Sequence, residues 1–216
     1  MALLQRPDAC LTIAFEHLVS LLLAEQSQLF IVQIGAFDGQ TGDQIHDYIK
    51  KYGWRGVLVE PQPRYFERLV STYAGVEGLH LHNVAVADKR ESRTLYAVRE
   101  DLTGLPSWAP QTASFDRYQL EHHGFDDDVI EHYDVQCVPL CELLADINCV
   151  DILQVDVEGF DAEIIRMFDF DVFRPRIVRF ESAHLSRSDH NLAIKRLVGY
   201  GYQVAVTGMD TIGWHP

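Results

Sequence analysis

A glycine-containing turn after the first apolar run constrains the fold more than any other feature of the chain. The run, residues 29–34, has the pattern of a buried strand, and a helical pattern begins at about residue 40. Gly35, Gly39 and Gly42 lie in or beside the turn that joins them. A second apolar run, residues 56–59, ends in Glu60. This order of strand, glycine turn, helix and acid-ended strand predicts a nucleotide-type site at the turn.

The spacing of the glycines distinguishes between nucleotide ligands. A dinucleotide-binding turn has the sequence G-x-G-x-x-G, which is absent here, and Asp38 projects into the turn. A carboxylate beside the ligand would repel a diphosphate, but it suits a ligand with a ribose and a cationic end, such as S-adenosylmethionine. Glu60 is predicted to accept hydrogen bonds from ribose hydroxyls, and Asp38 can also cap the following helix. We therefore expect a methyltransferase.

Apolar strand patterns and helical patterns alternate along the chain. Strands are predicted near residues 29–34, 56–60, 79–86, 150–156, 175–181 and 202–207, and helices at about 9–26, 41–52, 63–73, 139–147, 160–168 and 189–199. The alternation predicts a single α/β domain with a mostly parallel, doubly wound, Rossmann-like sheet and a ligand beyond the carboxyl ends of its strands. Residues 202–214 predict an antiparallel C-terminal hairpin, which is typical of the class I methyltransferase fold.

Two segments lie outside this alternation. Residues 1–28 are predicted to hold an N-terminal helix that begins near Asp8, and residues 29–216 to form the methyltransferase domain. The helix has an apolar face that could cover the sheet or a second subunit, made of Ile13, Leu18, Leu21 and Leu22. The long stretch at about residues 99–132 fits no regular element, and we expect a lid over the site.

Composition limits the kinds of partner. With 18 basic and 32 acidic residues, the net charge of −14 argues against a general nucleic-acid binder and against docking on anionic membranes. A small or neutral substrate fits better. The spacing of Cys10, Cys137, Cys141 and Cys149 does not indicate structural zinc, and the apolar stretch from Leu18 to Ala24 lacks the features of a signal peptide. Reduced thiols and a cytoplasmic location are expected.

The densest group of candidate catalytic residues follows the predicted strand at 150–156. In extended geometry Asp156 and Glu158 would point to the same side, while Gly159 permits a sharp turn and Asp161 can cap the next helix. Two carboxylates at one strand end repel each other and raise each other's pKa, which suits a general base or a cation site. A helix-entry motif without chemistry is the alternative.

A third acidic strand end carries Glu181 and, shortly after it, His184. His184 is the imidazole best suited to general-base catalysis, because its ordinary pKa lies near neutrality. Together with Asp156, these two residues could also hold a hard divalent cation. His122 and His123 lie in the predicted lid, where a surface role is expected for both.

The order of these motifs resembles the FkbM family of S-adenosylmethionine-dependent O-methyltransferases, which act in bacterial secondary metabolism and polysaccharide modification. The similarity covers roughly residues 30–212, and its most specific parts are the Glu-Pro block at Glu60 and the Asp-x-Glu-Gly block at Asp156. The other matching segments are Gly35-x-x-x-Gly39, Asn83 to Ala87, Glu181 to Ser186, Gly199 to Tyr202 and Asp210 to Ile212.

This resemblance implies a set of site residues. Those that would contact S-adenosylmethionine are Gly35, Ala36, Asp38, Gly39, Glu60, Asn83, Ala85 and Asp156. Asn83 to Ala85 would lie by the adenine, Asp156 near the sulfonium, and Trp108 and Ser114 would face the acceptor. The catalytic candidates are Asp156, Glu158, Glu181 and His184.

The predicted reaction is methyl transfer to a hydroxyl of a small molecule, such as a sugar or secondary metabolite, with a divalent cation as an optional aid. A nicotinamide-dependent oxidoreductase on the same sheet is disfavoured by the missing G-x-G-x-x-G. A binding protein without catalysis, and an acceptor nitrogen or carbon, stay open.

Overall fold

Strands and helices alternate through the computed structural model, which describes residues 15–215. The strands are β1 (Phe30–Ile34), β2 (Arg55–Val59), β3 (Leu79–His82), β4 (Ala85–Ala87), β5 (Glu91–Val98), β6 (Ala113–Ser114), β7 (Ile130–Pro139), β8 (Ile152–Val155), β9 (Ile177–Glu181), β10 (Gln203–Thr207) and β11 (Asp210–Trp214). The helices are α1 (Phe15–Glu25), α2 (His46–Tyr52), α3 (Pro63–Thr72), α4 (Arg117–His122), α5 (Leu140–Leu143), α6 (Asp161–Met167) and α7 (Arg187–Gly199), with a 3₁₀ turn at Ala109–Gln111.

The central sheet has seven strands in the order β10-β11-β9-β8-β1-β2-β3. The five strands from β9 to β3 are parallel, and β10 and β11 run antiparallel at one edge. Gly208, with φ +65°, lies in the turn of that hairpin. The predicted doubly wound sheet and C-terminal hairpin are therefore confirmed.

The strand order reverses at β1, which pairs with β2 on one side and with β8 on the other. The connections after these strands lead away in opposite directions, so a crevice opens where their carboxyl ends meet. Gly35 follows β1, Glu60 follows β2 and Asp156 follows β8. The topology thus brings three segments that are distant in sequence to one crevice.

Both faces of the sheet are covered at its centre, which explains why β1 and β8 are apolar with little alternation. On one face Val32 and Val155 belong to a core cluster that includes α6 and α7. On the other, Ile31 and Ile152 pack in a cluster that includes α1, α2 and α3. Helix α1 therefore covers the sheet.

The apolar face of α1 differs from the predicted one. Leu18 and Leu22 are buried as predicted, but Leu21 is 53% exposed. Phe15 and Val19 are buried in its place, because they share the helix face of Leu18 and Leu22. Ile13, Asp8 and Cys10 lie outside the described residues.

A second sheet, in the order β4-β7-β5-β6, was not predicted. Its main part is a long antiparallel pair in which Glu91 lies opposite Cys137 and Val98 opposite Ile130. Residues 99–132, predicted to be irregular, contain the 3₁₀ turn, β6, α4 and the start of β7. These strands were missed because polar residues interrupt their apolar ones, although Leu95, Val135 and Cys137 share a small core cluster.

Several predicted boundaries also differ. The run at 79–86 is broken between β3 and β4, the helix at 139–147 is shortened to Leu140–Leu143, and α2 begins at His46 instead of near residue 41. Among residues 15–215, no helix combines the length and apolar character needed to cross a bilayer.

Candidate active site

The ends of β1, β2 and β8 surround a cavity of about 270 Å³. A smaller cavity of about 70 Å³ lies beside it. The residues that line both cavities are Gly35, Glu60, Gln62, Gln111, Asp156 and Glu158. The wall of the larger cavity combines apolar side chains with polar groups from the strand ends and from residues 111–119, a composition that suits a small-molecule site.

Gly35 is required by a contact inside the protein. Its φ is +83°, and a Cβ atom there would lie 1.8 Å from the carbonyl oxygen of Asp156. Gly39, with φ +71°, similarly packs against Leu69 and Tyr73, whose side chains would lie 2.6 Å from a Cβ atom. The sequence-based expectation was that these glycines let the backbone approach a ligand. In the structure, Gly35 lets the ends of β1 and β8 approach each other, and Gly39 lets the turn pack against α3.

Glu60 is buried and fixes the turn after β1. Its Oε2 accepts the backbone N–H of Phe37 at 2.8 Å, and its Oε1 accepts the N–H of Gln62 at 2.7 Å. Phe37 has φ 48°, a left-handed conformation that side chains other than glycine rarely adopt. Burial raises the pKa of Glu60 to about 7, although the two backbone hydrogen bonds oppose the change. Each carboxylate oxygen keeps a lone pair for a further donor.

The raised pKa of Glu60 predicts a pH-dependent stability. The folded state holds this proton more tightly than the unfolded state, whose pKa is near 4.5. The stabilisation is therefore complete below about pH 4.5 and is lost as the pH rises through about 7. We expect Glu60 to lower the free energy of unfolding by about 2 kcal/mol between pH 5.5 and pH 8.

Urea denaturation of the wild type and of Glu60→Gln at these two pH values isolates this contribution, since histidines that titrate in the same range are present in both. The fall in stability should be smaller in Glu60→Gln and unchanged in Glu67→Gln, which alters an exposed glutamate on α3. An equal fall in all three proteins would contradict the prediction.

Asp38 stabilises the turn in a way that differs from the prediction. Its Oδ1 accepts the N–H groups of Gln40 and Thr41, and its Oδ2 accepts the Thr41 hydroxyl at 2.6 Å. Burial tends to raise the pKa of Asp38, but the hydrogen bonds from Thr41 and Gln40 outweigh it and hold the pKa below its ordinary value. Asp38 caps this turn and not α2, which begins at His46. Neither Asp38 nor Gly39 lines either cavity.

The residues predicted to lie by the adenine have two different roles. Val84, Ala85 and Val86 line the larger cavity and give it an apolar wall. Asn83 is exposed, and its amide donates to the carbonyl oxygens of Glu60 and Pro61 at 2.9 and 3.1 Å. It therefore fixes the end of β2 and does not line the cavity.

Asp156 and Glu158 line both cavities, but not through extended geometry. Glu158 has φ 52°, so the chain turns sharply after β8. Desolvation and the nearby carboxylate of Glu181 raise the pKa of Asp156 to about 7, although its side chain is accessible through the cavity. The same two causes raise the pKa of Glu158 to about 8. Their closeness results from a strained turn that the sequence pattern does not reveal.

Asp161 holds this turn in place. It is fully buried, and its carboxylate accepts the backbone N–H groups of Val157 at 3.4 Å and Gly159 at 3.2 Å. Burial raises its pKa well above the ordinary value. Asp161 is the first residue of α6 and not its cap, because the capping position is occupied by Phe160.

His184 lies between two carboxylates. Its Nε2 is 3.5 Å from Oε2 of Glu158 and 3.4 Å from Oε1 of Glu181. The hydrogen bond to Glu181 raises the pKa of His184 to about 9, although partial burial opposes this. A protonated imidazole has no lone pair to accept a proton. In this arrangement His184 is a poor general base at neutral pH, in contrast to the expectation from sequence.

A polar ladder beside the site was missed by the sequence analysis. Gln33 of β1 lies opposite Gln154 of β8, which lies opposite Arg179 of β9, and all three line the smaller cavity. All three are buried, and Oε1 of each glutamine and Nε of Arg179 lack a hydrogen-bond partner. Polar residues inside three apolar strands were the available signal. Unpaired buried polar atoms favour a polar ligand or water.

The inserted stretch contributes another wall of the larger cavity. Gln111, Ser114, Phe115 and Gln119 line it, and the Ser114 hydroxyl donates to the carbonyl oxygen of Glu158 at 3.5 Å. Trp108 does not line the cavity. It is 45% exposed, and its ring centroid lies 5.9 Å from that of His123 and 5.7 Å from that of Phe125.

The methyltransferase FkbM domain matches residues 33–204, most of the chain. No curated protein matches the sequence significantly.

Solved structures with a similar fold include an FkbM methyltransferase from Methylobacillus flagellatus, at 10% identity and a TM-score of 0.54. The alignment covers 88% of this chain and 44% of that protein, so this chain spans less than half of its length. Precorrin-6y C5,15-methyltransferase from Geobacter metallireducens aligns over 96% of this chain and 92% of its own, at 14% identity and a TM-score of 0.47. Fibrillarin from Aeropyrum pernix, solved with S-adenosyl-L-methionine bound, aligns over 86% and 66%, at 13% identity and a TM-score of 0.45.

Proposed function

Because the chain belongs to the FkbM methyltransferase family, we propose that it transfers a methyl group from S-adenosylmethionine to a hydroxyl of a small molecule. The observation that carries this proposal is the cavity at the reversal of strand order, which is lined by both Glu60 and Asp156. Glu60, which would accept hydrogen bonds from the ribose hydroxyls, and Asp156, a candidate general base, thus line the same site.

The two cavities suit different parts of the cofactor. The apolar wall of Val84 to Val86 fits the adenine, and the free lone pairs of Glu60 fit the ribose hydroxyls. The smaller, polar cavity fits the amino-acid end, where the cationic Arg179 and the two unpaired glutamine oxygens could meet the carboxylate and the ammonium group. Gly35 lines both cavities, and Ala36 lines the smaller one.

We assign the proton transfer to Asp156. When bound, S-adenosylmethionine supplies an electrophilic methyl group, so the protein has to orient the acceptor and remove its proton. A general base works best when its pKa is near the working pH, and the pKa of Asp156 is raised to about 7. The imidazolium of His184 could instead donate a hydrogen bond to the acceptor. The surrounding carboxylates favour the cationic cofactor over its neutral product, which would help product release.

The segment at about 99–132 is proposed to act as a lid. Its residues Ser114 and Phe115 line the larger cavity. Closure around the acceptor would exclude water from the reacting atoms. The proposed acceptor is a neutral or cationic small molecule, since the chain carries a net charge of −14.

Calorimetric titration with S-adenosylmethionine, S-adenosylhomocysteine and NAD tests the cofactor. We expect micromolar binding of the first two and none of NAD. Transfer of a labelled methyl group to a panel of hydroxylated, amine and neutral carbon acceptors then tests the reaction. Failure to bind either sulfur compound, or a preference for NAD, would overturn the proposal.

Replacement of Asp156 by asparagine should reduce the transfer rate by about 100-fold or more, because general-base catalysis commonly contributes that much. Cofactor binding should change less. Asp146→Asn, which alters an exposed aspartate, is the matched control and should transfer at the wild-type rate. An unchanged rate in Asp156→Asn would assign the base elsewhere.

A further inference from the structure

His123 reaches the site from the inserted segment, although a surface role was expected for it. Its ring centroid lies 4.6 Å from that of His184, with the rings edge to face. Donor atoms of His123, Glu158 and His184 all lie within 4.8 Å of one another. We propose that these three residues, together with Glu181, form a binding site for a divalent transition-metal ion at the edge of the cavity.

The measured distances fit shared coordination. Ligand atoms that bind one ion at about 2.0–2.2 Å are separated from each other by about 3–4 Å. Nε2 of His184 lies 3.5 Å from Oε2 of Glu158 and 3.4 Å from Oε1 of Glu181. Small movements of the side chains would therefore bring all three atoms to bonding distance of an ion between them.

An independent observation concerns the second oxygen of Glu181. This residue is only 8% exposed, and its Oε2 is buried without a hydrogen-bond partner. A buried acceptor without a partner is costly, and a cation beside it would remove that cost. Asp156, Glu158 and Glu181 also bring carboxylate oxygens within 4.8 Å of one another. Three carboxylates this close together repel one another, and a cation bound between them would relieve that repulsion.

The chemical nature of the ligand atoms determines which class of ion the site prefers. Mg²⁺ and Ca²⁺ prefer oxygen ligands, whereas imidazole suits zinc, iron and related first-row ions. Two histidines and a carboxylate form a set that binds Zn²⁺ in hydrolytic enzymes and Fe²⁺ in oxygenases. The site should therefore prefer Zn²⁺ or Co²⁺ over Mg²⁺. The cation site predicted from the sequence consisted of Asp156, Glu181 and His184, and it included neither Glu158 nor His123.

A metal ion here would have a role in methyl transfer, and that role rests on the proposed function. Glu158 and Asp156 line the cavity, so an acceptor hydroxyl could bind the ion and become more acidic. Its proton would pass to Asp156, and its oxygen would form the bond to the methyl carbon. The carbon–sulfur bond would break with its electron pair remaining on sulfur. The binding site itself does not depend on this chemistry.

The test is calorimetric titration of the metal-free chain of 216 residues with Zn²⁺ and with Mg²⁺, without cofactor. We expect one Zn²⁺ site and no comparable binding of Mg²⁺. His123→Ala and, separately, Glu158→Gln should each weaken Zn²⁺ binding by at least about 10-fold. His122→Ala is the matched control, because His122 is adjacent but belongs to neither donor group, and it should bind as the wild type does. Circular dichroism confirms that each variant is folded.

Absorption of the Co²⁺-loaded protein excludes the cysteines as ligands, since a thiolate ligand produces a charge-transfer band and nitrogen or oxygen ligands do not. No Zn²⁺ binding, equal binding by all variants or a thiolate band would each overturn the proposed site. A protein that binds Zn²⁺ but not S-adenosylmethionine would keep the metal site and lose the proposed function. The reverse result would remove only the metal site.

Discussion

Replacing Glu60 by alanine is expected to weaken the binding of S-adenosylmethionine by about 100-fold or more. A hydrogen bond to a charged group contributes about 1.5–3 kcal/mol, so the loss of two ribose contacts costs about 3 kcal/mol or more. The substitution also releases the N–H groups of Phe37 and Gln62, which hold the turn beside the ligand. Isothermal titration calorimetry of the variant and the wild type measures the effect.

Two further variants make this result interpretable. Glu67→Ala removes an exposed carboxylate from α3 and should bind as the wild type does. Glu60→Asp keeps the charge but shortens the side chain, and its affinity should lie between those of the wild type and Glu60→Ala. Wild-type affinity in a folded Glu60→Ala protein would remove Glu60 from the cofactor site.

Replacement of Gly35 by alanine is expected to destabilise the fold by at least about 3 kcal/mol. The left-handed backbone at φ +83° alone costs about 1–2 kcal/mol for a residue with a Cβ atom. The added atom would also lie 1.8 Å from the carbonyl oxygen of Asp156, and backbone atoms cannot move aside as a flexible side chain can. The strands β1 and β8 would have to separate. Urea denaturation measures the change in the free energy of unfolding.

Gly53→Ala is the matched control for this prediction. Gly53 also has a left-handed backbone, with φ +64°, but no atom lies within 4 Å of a Cβ placed there. Its replacement should therefore cost only the conformational strain, about 1–2 kcal/mol. If Gly35→Ala and Gly53→Ala lose similar stability, the close approach of the two strands is not what requires glycine at Gly35.

The central sheet was predictable because its strands are short, apolar runs bounded by turns. Residues 29–34, for example, form β1 as Phe30–Ile34, and the terminal hairpin lies where its glycine turn indicated. Local sequence is sufficient here, since burial on both faces requires apolar residues at nearly every position. The pair β5 and β7 is different. Its strands are partly polar, and a contact such as Val98 with Ile130 depends on the rest of the fold.

Part of the candidate site was predictable because two of its residues directly follow apolar strands. Glu60 and Asp156 stand at the ends of apolar strands, and the structure brings both to one cavity. Asn83 and Asp38 instead hydrogen-bond within the protein, and their positions next to matching motifs could not reveal that. Arg179 was missed although a charged residue inside an apolar strand was an available signal, because the residues that it faces are set by the pairing of β9 with β8.

The sequence by itself determined which residue types follow each strand. A doubly wound sheet then places the residues that follow its parallel strands along one edge. Only the tertiary structure decided the distances between them. Pairing of β1 with β8 brings Gly35 against Asp156, and the left-handed turn at Glu158 brings its carboxylate to His184. The inserted segment then adds His123. These contacts join residues far apart in sequence, so no local pattern of the chain contains them.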